Sequence, residues 1–378
     1  MKFDIIRDRL LDGLNDVMKA VSSKTTIPIL TGIKIDISTE GMTLTGSDAD
    51  ITIQTSIPVE EDGKQLIHVH ETGSIVLQAK MFNEIVRKLP TNEVEIEVTE
   101  NFQTRIQSGK SDFHLIGLDA TEYPMLPEIS PDRQITLPAD LLKSVIRETV
   151  FAVSTSESRP VLTGVKWQIK EDGLICIATD SHRLARRKVT LDHTPTEEAD
   201  VVIPGKSLTE LSKILSDSNT PVDIFMTNQQ VLFKTSDVLF FSRLLEGNYP
   251  ETSRLIPDEY NTTVTINGKT LLQAIDRASL LAREDRNNVV RFSTVGDNNI
   301  EISSNSPEIG KVEEEIHVES LEGEELRISF SAKYMMDALK AIDGQEITIQ
   351  FTGAMRPFTI QSLNDDAILQ LILPVRTY

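Results

Sequence analysis

LLDGLNDV at residues 10–17, followed by TIPILTGIK at residues 26–34, decides the fold, because the chain repeats this passage. The second copy reads LLKSVI at residues 141–146 and SRPVLTGVK at residues 158–166, and a fainter third copy reads LLQAID at 271–276 and NVVRF at 288–292. The paired leucines begin at 10, 141 and 271, so the spacing is 131 and then 130 residues. This period is far longer than a solenoid or propeller repeat, and each copy can bury its own core. We therefore predict three tandem domains.

The second half of each domain repeats as well, with a lysine at the same place. The segments are AKMFNEIVRKLP at 79–90, PGKSLTELSKIL at 204–215 and SAKYMMDALKAI at 331–342. Their apolar residues recur at helical spacing, which predicts a short amphipathic helix in each. Proline-punctuated linkers follow EYP at 122–124 and NYP at 248–250. These linkers predict domain boundaries at 1–127, 128–256 and 257–378.

Each domain is predicted to contain two helices and many strands. We expect helices near 8–20, 80–89, 139–151, 206–215, 269–281 and 332–342. Strands such as 32–37, 42–46 and 94–98 alternate apolar and polar residues, which is typical of half-buried antiparallel strands. The fold class is therefore α+β: three tandem copies of a two-helix, β-sheet-rich domain, with helices packed on sheets.

The composition indicates the cellular compartment of the protein and limits the classes of partner it can bind. The formal net charge is −20, so the surface as a whole repels nucleic acid. A single cysteine, Cys176, excludes an internal disulfide framework and fits a reducing compartment. The opening Met1–Asp4 leads into charged sequence rather than a secretory segment, and no apolar run reaches the roughly 20 residues of a spanning helix. We expect a cytoplasmic protein without a membrane partner.

The predicted helices are the electropositive part of this acidic chain. Lysine and arginine exceed aspartate and glutamate by five on the six predicted helices, so the remaining residues carry −25. One interpretation is that lysine is a good helix former on solvated faces. The other is that these helices face phosphates, where cations replace condensed counterions.

Several motifs together resemble one family. The middle copy contains ATDSHRLA at 178–185, and MKF at 1–3, TIPIL at 26–30, GNYP at 247–250 and LPVR at 373–376 accompany it. With the threefold repeat, the chain resembles the bacterial DNA sliding clamps, the beta subunits of DNA polymerase III, from Met1 to Tyr378.

The resemblance implies a DNA clamp fold that assembles head to tail into a ring-forming homodimer around duplex DNA. Six domains would close the ring, with helices lining the hole and sheets outside. DNA would be held without sequence preference, and the ring would tether the replicative DNA polymerase as a processivity factor. The implied partners are double-stranded DNA, a second copy, the polymerase catalytic subunit, the clamp loader and other proteins with a clamp-binding motif. The resemblance implies no catalytic activity, no cofactor and no metal.

The resemblance also implies an apolar peptide-binding pocket between domains two and three. Without it, the apolar residues concerned would be read as core. Relatives often carry Gly at position 181 and Met near 373 and 375, which affects the peptide preference expected here. The implied lining, with two rim residues last, is Leu162, Thr179, Ser181, His182, Arg183, Leu184, Pro250, Arg254, Leu255, Leu373, Pro374, Val375, Arg159 and Met355.

Two further sets of residues follow from the resemblance. One set would bind DNA and the other would form the dimer interface. Each also has a simpler interpretation, because single surface lysines are usually only solvated and apolar residues on strands and helices usually belong to the core. The implied DNA-binding residues are Lys24, Lys80, Arg159, Lys206, Arg87 and Lys213. The implied dimer interface consists of Phe113 and Leu115 in the first domain, Leu280 and Leu281 in the third, and Lys110 facing the acidic run 313–315.

Alternatives remain open at this stage. Asp180 and His182 could serve a hydrolase, but the corresponding turns, GSDAD at 46–50 and SSNSP at 303–307, share only polar character. We expect the acidic residues of these turns to bind backbone N–H groups. A protein-interaction scaffold that never meets DNA is the second alternative. His68 and His70 lie on one strand face without a visible third metal ligand, so we interpret them as surface residues.

Overall fold

The computed structural model describes residues 1–126, 133–192, 195, 197–282, 288–343 and 346–376. The predicted boundary at residues 127 and 128 lies outside these ranges, and the three domain boundaries stay predictions. Within the described residues the chain forms two compact units, 1–140 with 209–244 and 141–208 with 245–378. We call residues 1–126, 133–256 and 257–376 the first, second and third repeats.

Six α-helices were predicted, and the structure confirms one near each position. Four of them end one to three residues earlier than expected, and short 3₁₀ turns at 18–20 and 150–152 continue the first and third. Helix α1 packs closely on its sheet because Gly13 has no side chain, since a Cβ there would lie 3.0 Å from Leu44 Cδ1. The helices are α1 Arg7–Val17, α2 Ala79–Lys88, α3 Ala139–Thr149, α4 Gly205–Ser212, α5 Gly268–Ala282 and α6 Ala332–Ile342.

The strands of the first repeat include the three predicted segments. Phe3, Ile5 and Ile96 alternate with polar neighbours and are fully buried or nearly so, as the period-two pattern requires. The strands are β1 Lys2–Ile6, β2 Gly32–Ser38, β3 Gly41–Ser47, β4 Ile51–Pro58, β5 Glu60–Glu61, β6 Lys64–Gln65, β7 Ile67–Glu71, β8 Gly73–Gln78, β9 Glu93–Val98, β10 Gln103–Ser108 and β11 Ser111–Ile116.

The second and third repeats continue the same arrangement. The second has β12 Gln134–Pro138, β13 Gly164–Lys170, β14 Gly173–Thr179, β15 Arg183–Val189, β16 Ala199–Pro204, β17 Pro221–Met226, β18 Gln230–Lys234 and β19 Val238–Arg243. The third has β20 Thr262–Asn267, β21 Val289–Thr294, β22 Asn299–Ser306, β23 Gly310–His317, β24 Ser320–Gly323, β25 Arg327–Ser331, β26 Glu346–Phe351, β27 Phe358–Ser362 and β28 Asp365–Ile372.

The strands pair antiparallel, and two of the sheets join consecutive repeats. The larger sheets have the orders β12-β17-β18-β19-β4-β3-β2-β8 and β16-β13-β14-β15-β28-β27-β26-β20-β24. In the first, β4 of repeat one pairs with β19 of repeat two, and in the second, β15 of repeat two pairs with β28 of repeat three. We call these contacts the first and second junctions. The sheets β11-β10-β9-β1-β7 and β23-β22-β21-β25 each lie within a single repeat, the first and the third respectively.

Two sequence-based expectations were inaccurate. The segment 303–307 was expected to be a turn, but β22 continues to Ser306 and the turn begins only at Pro307. On the observed α-helical bounds the excess of basic over acidic residues is three rather than five, because Lys19 and Lys213 lie just beyond helix ends. The helices remain more basic than the rest of the chain.

Candidate functional site

The motif at residues 179–183 forms a tight turn that leads into β15. Thr179 Oγ1 accepts the Ser181 amide at 3.2 Å and donates to the Arg183 carbonyl at 2.6 Å. Asp180 Oδ1 accepts the amides of His182 and Arg183 at 3.0 and 3.1 Å. Ser181 has a φ of +75°, in the left-handed region that favours glycine. The predicted role of the acidic residue, holding backbone N–H groups, is confirmed in this turn.

Arg183 is the centre of a largely buried charged cluster. Its side chain is only 7% exposed, and its Nε lies 3.0 Å from Asp180 Oδ2. Its Nη1 lies 2.6 Å from Asp337 Oδ2, and its Nη2 donates to the Phe151 carbonyl at 2.7 Å. The guanidinium carbon lies 4.5 Å from the centre of the Tyr334 ring. Contacts with two carboxylates, a carbonyl and an aromatic ring at once require the planar guanidinium of arginine and would not be reproduced by lysine.

An apolar cluster lies beside this turn, at the second junction. Its buried members are Ile177, Leu184, Leu369 and Leu371, and its partly buried members are Ile175, Tyr249, Ile256 and Leu373. The pairing of β15 with β28 sets Leu184 opposite Leu371, which explains why residues far apart in sequence meet here. The cluster is an apolar floor whose edge is open to solvent at Leu373.

Tyr249 connects the apolar cluster to the turn. Its hydroxyl accepts the Thr179 amide at 3.1 Å and lies 3.4 Å from the Ile177 carbonyl oxygen, to which it can donate. Burial raises the pKa of this phenol well above its usual value, so it stays a neutral donor and acceptor. Because its hydroxyl is bonded to β14, the ring holds the segment that leads to Pro250 against the cluster.

The end of the chain completes this surface. The Leu373 amide donates to the His182 carbonyl at 3.0 Å, and the Val375 amide donates to the Ser329 carbonyl at 2.8 Å. Leu373, Pro374 and Val375 are each partly exposed. The structure thus brings the predicted residues of the turn, of β15 and of 373–375 together, with Thr179, Arg183 and Leu184 buried and the others at least partly exposed.

The remaining predicted pocket residues are more dispersed. Leu162 is buried in the 3₁₀ turn Pro160–Thr163, whereas Pro250, Arg254 and Leu255 lie on the exposed segment before Ile256. The rim residues Arg159 and Met355 are exposed, and Met355 lies in the turn between β26 and β27. Within the described ranges, no hydrogen bond or ion pair joins Leu162, Arg254, Arg159 or Met355 to the turn at 179–182.

Sequence reasoning missed two residues of this site, Tyr334 and Asp337. Both lie on α6, three residues apart, so they share one helical face. The Tyr334 ring is also stacked near the His182 ring, with centroids 6.3 Å apart and an interplanar angle of 22°. The three-residue spacing indicates that Tyr334 and Asp337 share a helical face. Their common partner, Arg183, is 154 positions from Asp337, so this contact could not be predicted from the sequence.

A second buried charged cluster occurs on β15, four residues further along the strand and on the same face. Arg187 Nε lies 3.1 Å from Glu148 Oε2, and Arg187 Nη1 lies 2.8 Å from Asp365 Oδ2. Ser144 donates to Glu148 at 2.7 Å. Burial raises the pKa of the Glu148 carboxyl, although Ser144 and Arg187 oppose this effect. Both clusters therefore bridge the second and third repeats through arginines of one strand.

The basic residues predicted to meet DNA are on exposed helix and loop positions. Lys80 and Arg87 project from α2, opposite its buried Phe82, and Lys24 lies in an exposed segment after α1. Lys206 is exposed on α4. Lys213 is paired with Glu210 at 2.8 Å, so its charge is partly neutralised. Lys24, Lys80 and Arg87 form no ion pair within the described part of the chain.

The residues predicted to form a dimer interface lie at sheet edges and on an exposed helix. Phe113 is 38% exposed on β11, the edge strand of its sheet, and Leu280 is 61% exposed on α5. Leu115 and Leu281 are half-buried, and Lys110 is exposed in the turn before β11. In the acidic run, Glu314 is already paired with Arg277 and Glu313 with Lys311.

His68 and His70 are surface residues, with ring centroids 4.8 Å apart. His70 Nε2 lies 2.8 Å from Asp4 Oδ2, which is an ordinary surface contact. Among the described residues, no group of three or more potential ligands could hold a metal ion. In the same part of the chain, no helix is long and apolar enough to cross a membrane.

Comparisons with known proteins agree with this arrangement. Sequence models of the N-terminal, central and C-terminal domains of the DNA polymerase III beta subunit match residues 1–127, 136–251 and 253–376. The beta sliding clamp of Bacillus subtilis (strain 168) is 61% identical over 378 residues and covers all of both chains. A crystal structure of the DNA polymerase sliding clamp from Bacillus subtilis superposes with a TM-score of 0.97 over both full chains. The beta chain of DNA polymerase III from Streptococcus pneumoniae is 42% identical, with full coverage of both chains and a TM-score of 0.95.

Three repeats of two helices on sheets, joined through shared sheets, define a DNA clamp. The chain belongs to the family of bacterial beta sliding clamps, the beta subunits of DNA polymerase III.

Proposed function

We propose that this chain is the processivity factor of a replicative DNA polymerase. Two copies close into a ring around duplex DNA, slide along it and tether the polymerase. The single observation that carries the proposal is the complete three-repeat match to the sliding clamp family, at 61% identity over the whole chain.

Ring closure is supported by the edge strands. Strand β11 in repeat one and strand β23 in repeat three each pair on one side only within the described residues. Exposed edges of this kind are templates for pairing with another chain. Joining the first repeat of one copy to the third repeat of another is a head-to-tail contact, which closes when the rotation allows it. Phe113 and Leu280 supply exposed apolar area for such a contact.

Sequence-independent DNA contact is supported by the charge distribution. The observed helices carry a small positive excess in a chain of net charge −20. Lys24, Lys80 and Arg87 are exposed and form no ion pair within the described residues. Cations of this kind bind phosphates weakly and reversibly, which permits sliding. The polymerase gains an effective concentration on the order of millimolar at the primer end when a short connection holds it to such a ring.

The surface at the second junction is proposed as the client-binding site. Its apolar floor and its open edge at Leu373, beside the polar turn at 179–182, are suited to a short peptide with apolar side chains. The partners would be the polymerase catalytic subunit, the clamp loader and other proteins that carry the same kind of motif. The contacts at the turn argue against the hydrolase alternative, because Asp180 already binds two amides and a guanidinium.

Retention on circular DNA tests the proposal. The protein is loaded with a competent clamp loader and ATP onto nicked circular DNA, and is then passed through a sizing column at high salt before and after linearisation. High salt removes ordinary phosphate contacts, so retention on the circle with loss from the linear form requires encirclement. The control variant Phe113→Asp should fold but not be retained. Equal behaviour of wild-type protein on both DNA forms would refute the ring.

A further inference from the structure

We propose that Asp337 is a positioning residue for client binding: through Arg183 it fixes the turn at 179–182 and the rings of His182 and Tyr334. The inference rests on the proposed function, because it concerns the same peptide site. It adds a residue that is not a member of the apolar floor of that site.

Helix α6 contacts the guanidinium at two points. Asp337 bonds Arg183 Nη1 at 2.6 Å, and Tyr334, one turn earlier on the same face, lies under the guanidinium plane at 4.5 Å. Asp180 holds Nε from the other side at 3.0 Å. Because Asp180 also accepts the amides of His182 and Arg183, a displacement of the guanidinium moves the turn itself.

The turn does not need an arginine merely in order to form. In the first repeat, Asp48 Oδ1 accepts the amides of Asp50 and Ile51 at 3.1 and 2.8 Å, and Ser47 Oγ accepts the Ala49 amide at 3.2 Å. Ala49 has a φ of +79°, close to that of Ser181. Ile51 takes the place of Arg183 there. The contacts that arginine makes in the second repeat therefore serve something other than the turn's own stability.

What the arginine adds is a rigid connection between the turn and α6. The His182 ring is exposed and lies nearly parallel to the Tyr334 ring, and the His182 carbonyl accepts the Leu373 amide. The Arg183 guanidinium therefore orients the His182 and Tyr334 rings and the segment at Leu373. Asp337 is the carboxylate from the third repeat that binds this guanidinium. An approaching peptide would meet rings whose orientation depends on this ion pair.

The chain contains a matched control. Asp365 binds Arg187 at 2.8 Å, so it also supplies a repeat-three carboxylate to a largely buried arginine of β15. Within the described residues, Arg187 makes no hydrogen bond to the turn at 179–182. Asp337→Asn and Asp365→Asn thus remove equivalent charges at the same junction, but only the first is connected to the proposed site.

The test uses the full-length protein and a fluorescein-labelled peptide, the tightest binder from overlapping synthetic peptides of the replicative polymerase. Anisotropy should show about tenfold weaker binding for Asp337→Asn and less than twofold change for Asp365→Asn, since interacting residues couple by about 1.4 kcal/mol, which is tenfold. Asp337→Glu, which keeps the carboxylate, should recover part of the affinity. Urea unfolding of both Asn variants shows whether affinity merely follows stability.

Amide hydrogen exchange of the free protein gives an independent readout. Exchange of the amides at 181–183 should become faster in Asp337→Asn and stay unchanged in Asp365→Asn. Equal affinity losses in the two variants, or unchanged exchange in Asp337→Asn, would overturn the positioning role. Failure of wild-type protein to bind any polymerase peptide would instead refute the proposed client site, and the exchange rates would still decide whether Asp337 positions the turn.

Discussion

The first and second junctions have the same backbone and different chemistry. At each, a strand that follows a left-handed turn pairs with a strand of the next repeat, Ile51 opposite Ser242 and Arg183 opposite Ile372. The residue after the partner strand, or at its end, donates its amide back to the turn: Arg243 to Asp50 and Leu373 to His182. The repeated backbone therefore does not by itself distinguish a client site from a structural joint.

The side chains make the difference. Where the first junction has Val17, Ile51 and Thr55, the second has Glu148, Arg183 and Arg187 at the equivalent positions of the repeat.

The replacement is reversed at the edge. Arg243 stands where the second junction has Leu373. On the face of β15 that carries Arg183 and Arg187, the second junction is thus charged, and its edge is apolar at Leu373. The corresponding face of the first junction, with Val17, Ile51 and Thr55, carries no charge, and its edge is charged at Arg243. We interpret the buried charges as fixing the geometry of a surface that must stay partly open.

The largest expected effect concerns the apolar edge of the second junction. Leu373→Asp combined with Val375→Asp should weaken binding of a polymerase peptide about a thousandfold, which corresponds to about 4 kcal/mol, because two charges replace apolar contact area. Arg243→Asp at the first junction is the matched control and should leave affinity unchanged. Fluorescence anisotropy measures the affinity, and sedimentation should show an intact dimer. Client binding that survives the double change would place the site elsewhere.

The second prediction concerns a substitution that gives the second junction the residue found at the equivalent position of the first. Arg183→Ile leaves Asp180 and Asp337 largely buried without their counter-ion, and should lower the free energy of unfolding by about 3 kcal/mol. Urea unfolding measures the change. Ile51→Val, which keeps the first junction apolar, should cost only about 1 kcal/mol. A loss for Arg183→Ile no larger than that of Ile51→Val would show that the charged cluster contributes no more than packing.

A double-mutant cycle examines the neighbouring cluster. Glu148→Val alone should cost about 2 kcal/mol of unfolding free energy, because Arg187 loses one of its two carboxylates. Adding Arg187→Thr, so that both positions carry the first-junction residues, should cost less than the sum of the single changes by about 1 kcal/mol. Additive losses in urea unfolding would mean that Glu148 and Arg187 do not interact energetically.

The smallest expected effect concerns the two turns, where the junctions are alike. Ser181→Gly and Ala49→Gly should each raise the free energy of unfolding by about 0.5 kcal/mol. Glycine adopts a positive φ without the steric cost of a Cβ, and this gain exceeds the larger conformational entropy that glycine loses on folding. Thermal unfolding of the two variants checks this. Opposite signs at the two positions would show that the turns are not energetically equivalent.

Much of the fold could be predicted from the sequence, because the repeat supplies the same pattern three times. Alternating apolar residues located β2, β3 and β9, and the 3.6-residue spacing located each helix within a few residues. The segment at 303–307 was mistaken for a turn because its serines and asparagine are polar, whereas pairing of β22 with β23 continues the strand to Ser306. Tertiary pairing outweighed local composition there.

The site was less predictable than the fold. The motif at 178–185 identified the turn, and the hydrogen bonds of Asp180 confirm its expected backbone role. The burial of Arg183 could not be foreseen, because its partner Asp337 and the stacked Tyr334 come from a helix in another repeat. The spacing of residues in the sequence predicts which of them share a helix or strand. Which helices and strands contact each other at a junction is known only from the structure.

The most direct measurement of the central claim is an amide hydrogen exchange footprint of the replicative polymerase, or its tightest peptide, on the full-length protein. The account predicts protection at 179–184, 249–256 and 371–375, with none at the equivalent first-junction residues 47–52, 123–126 and 241–245. Protection at the first junction, or unchanged exchange at the second while the polymerase is bound, would contradict the claim that the second junction alone is the client site.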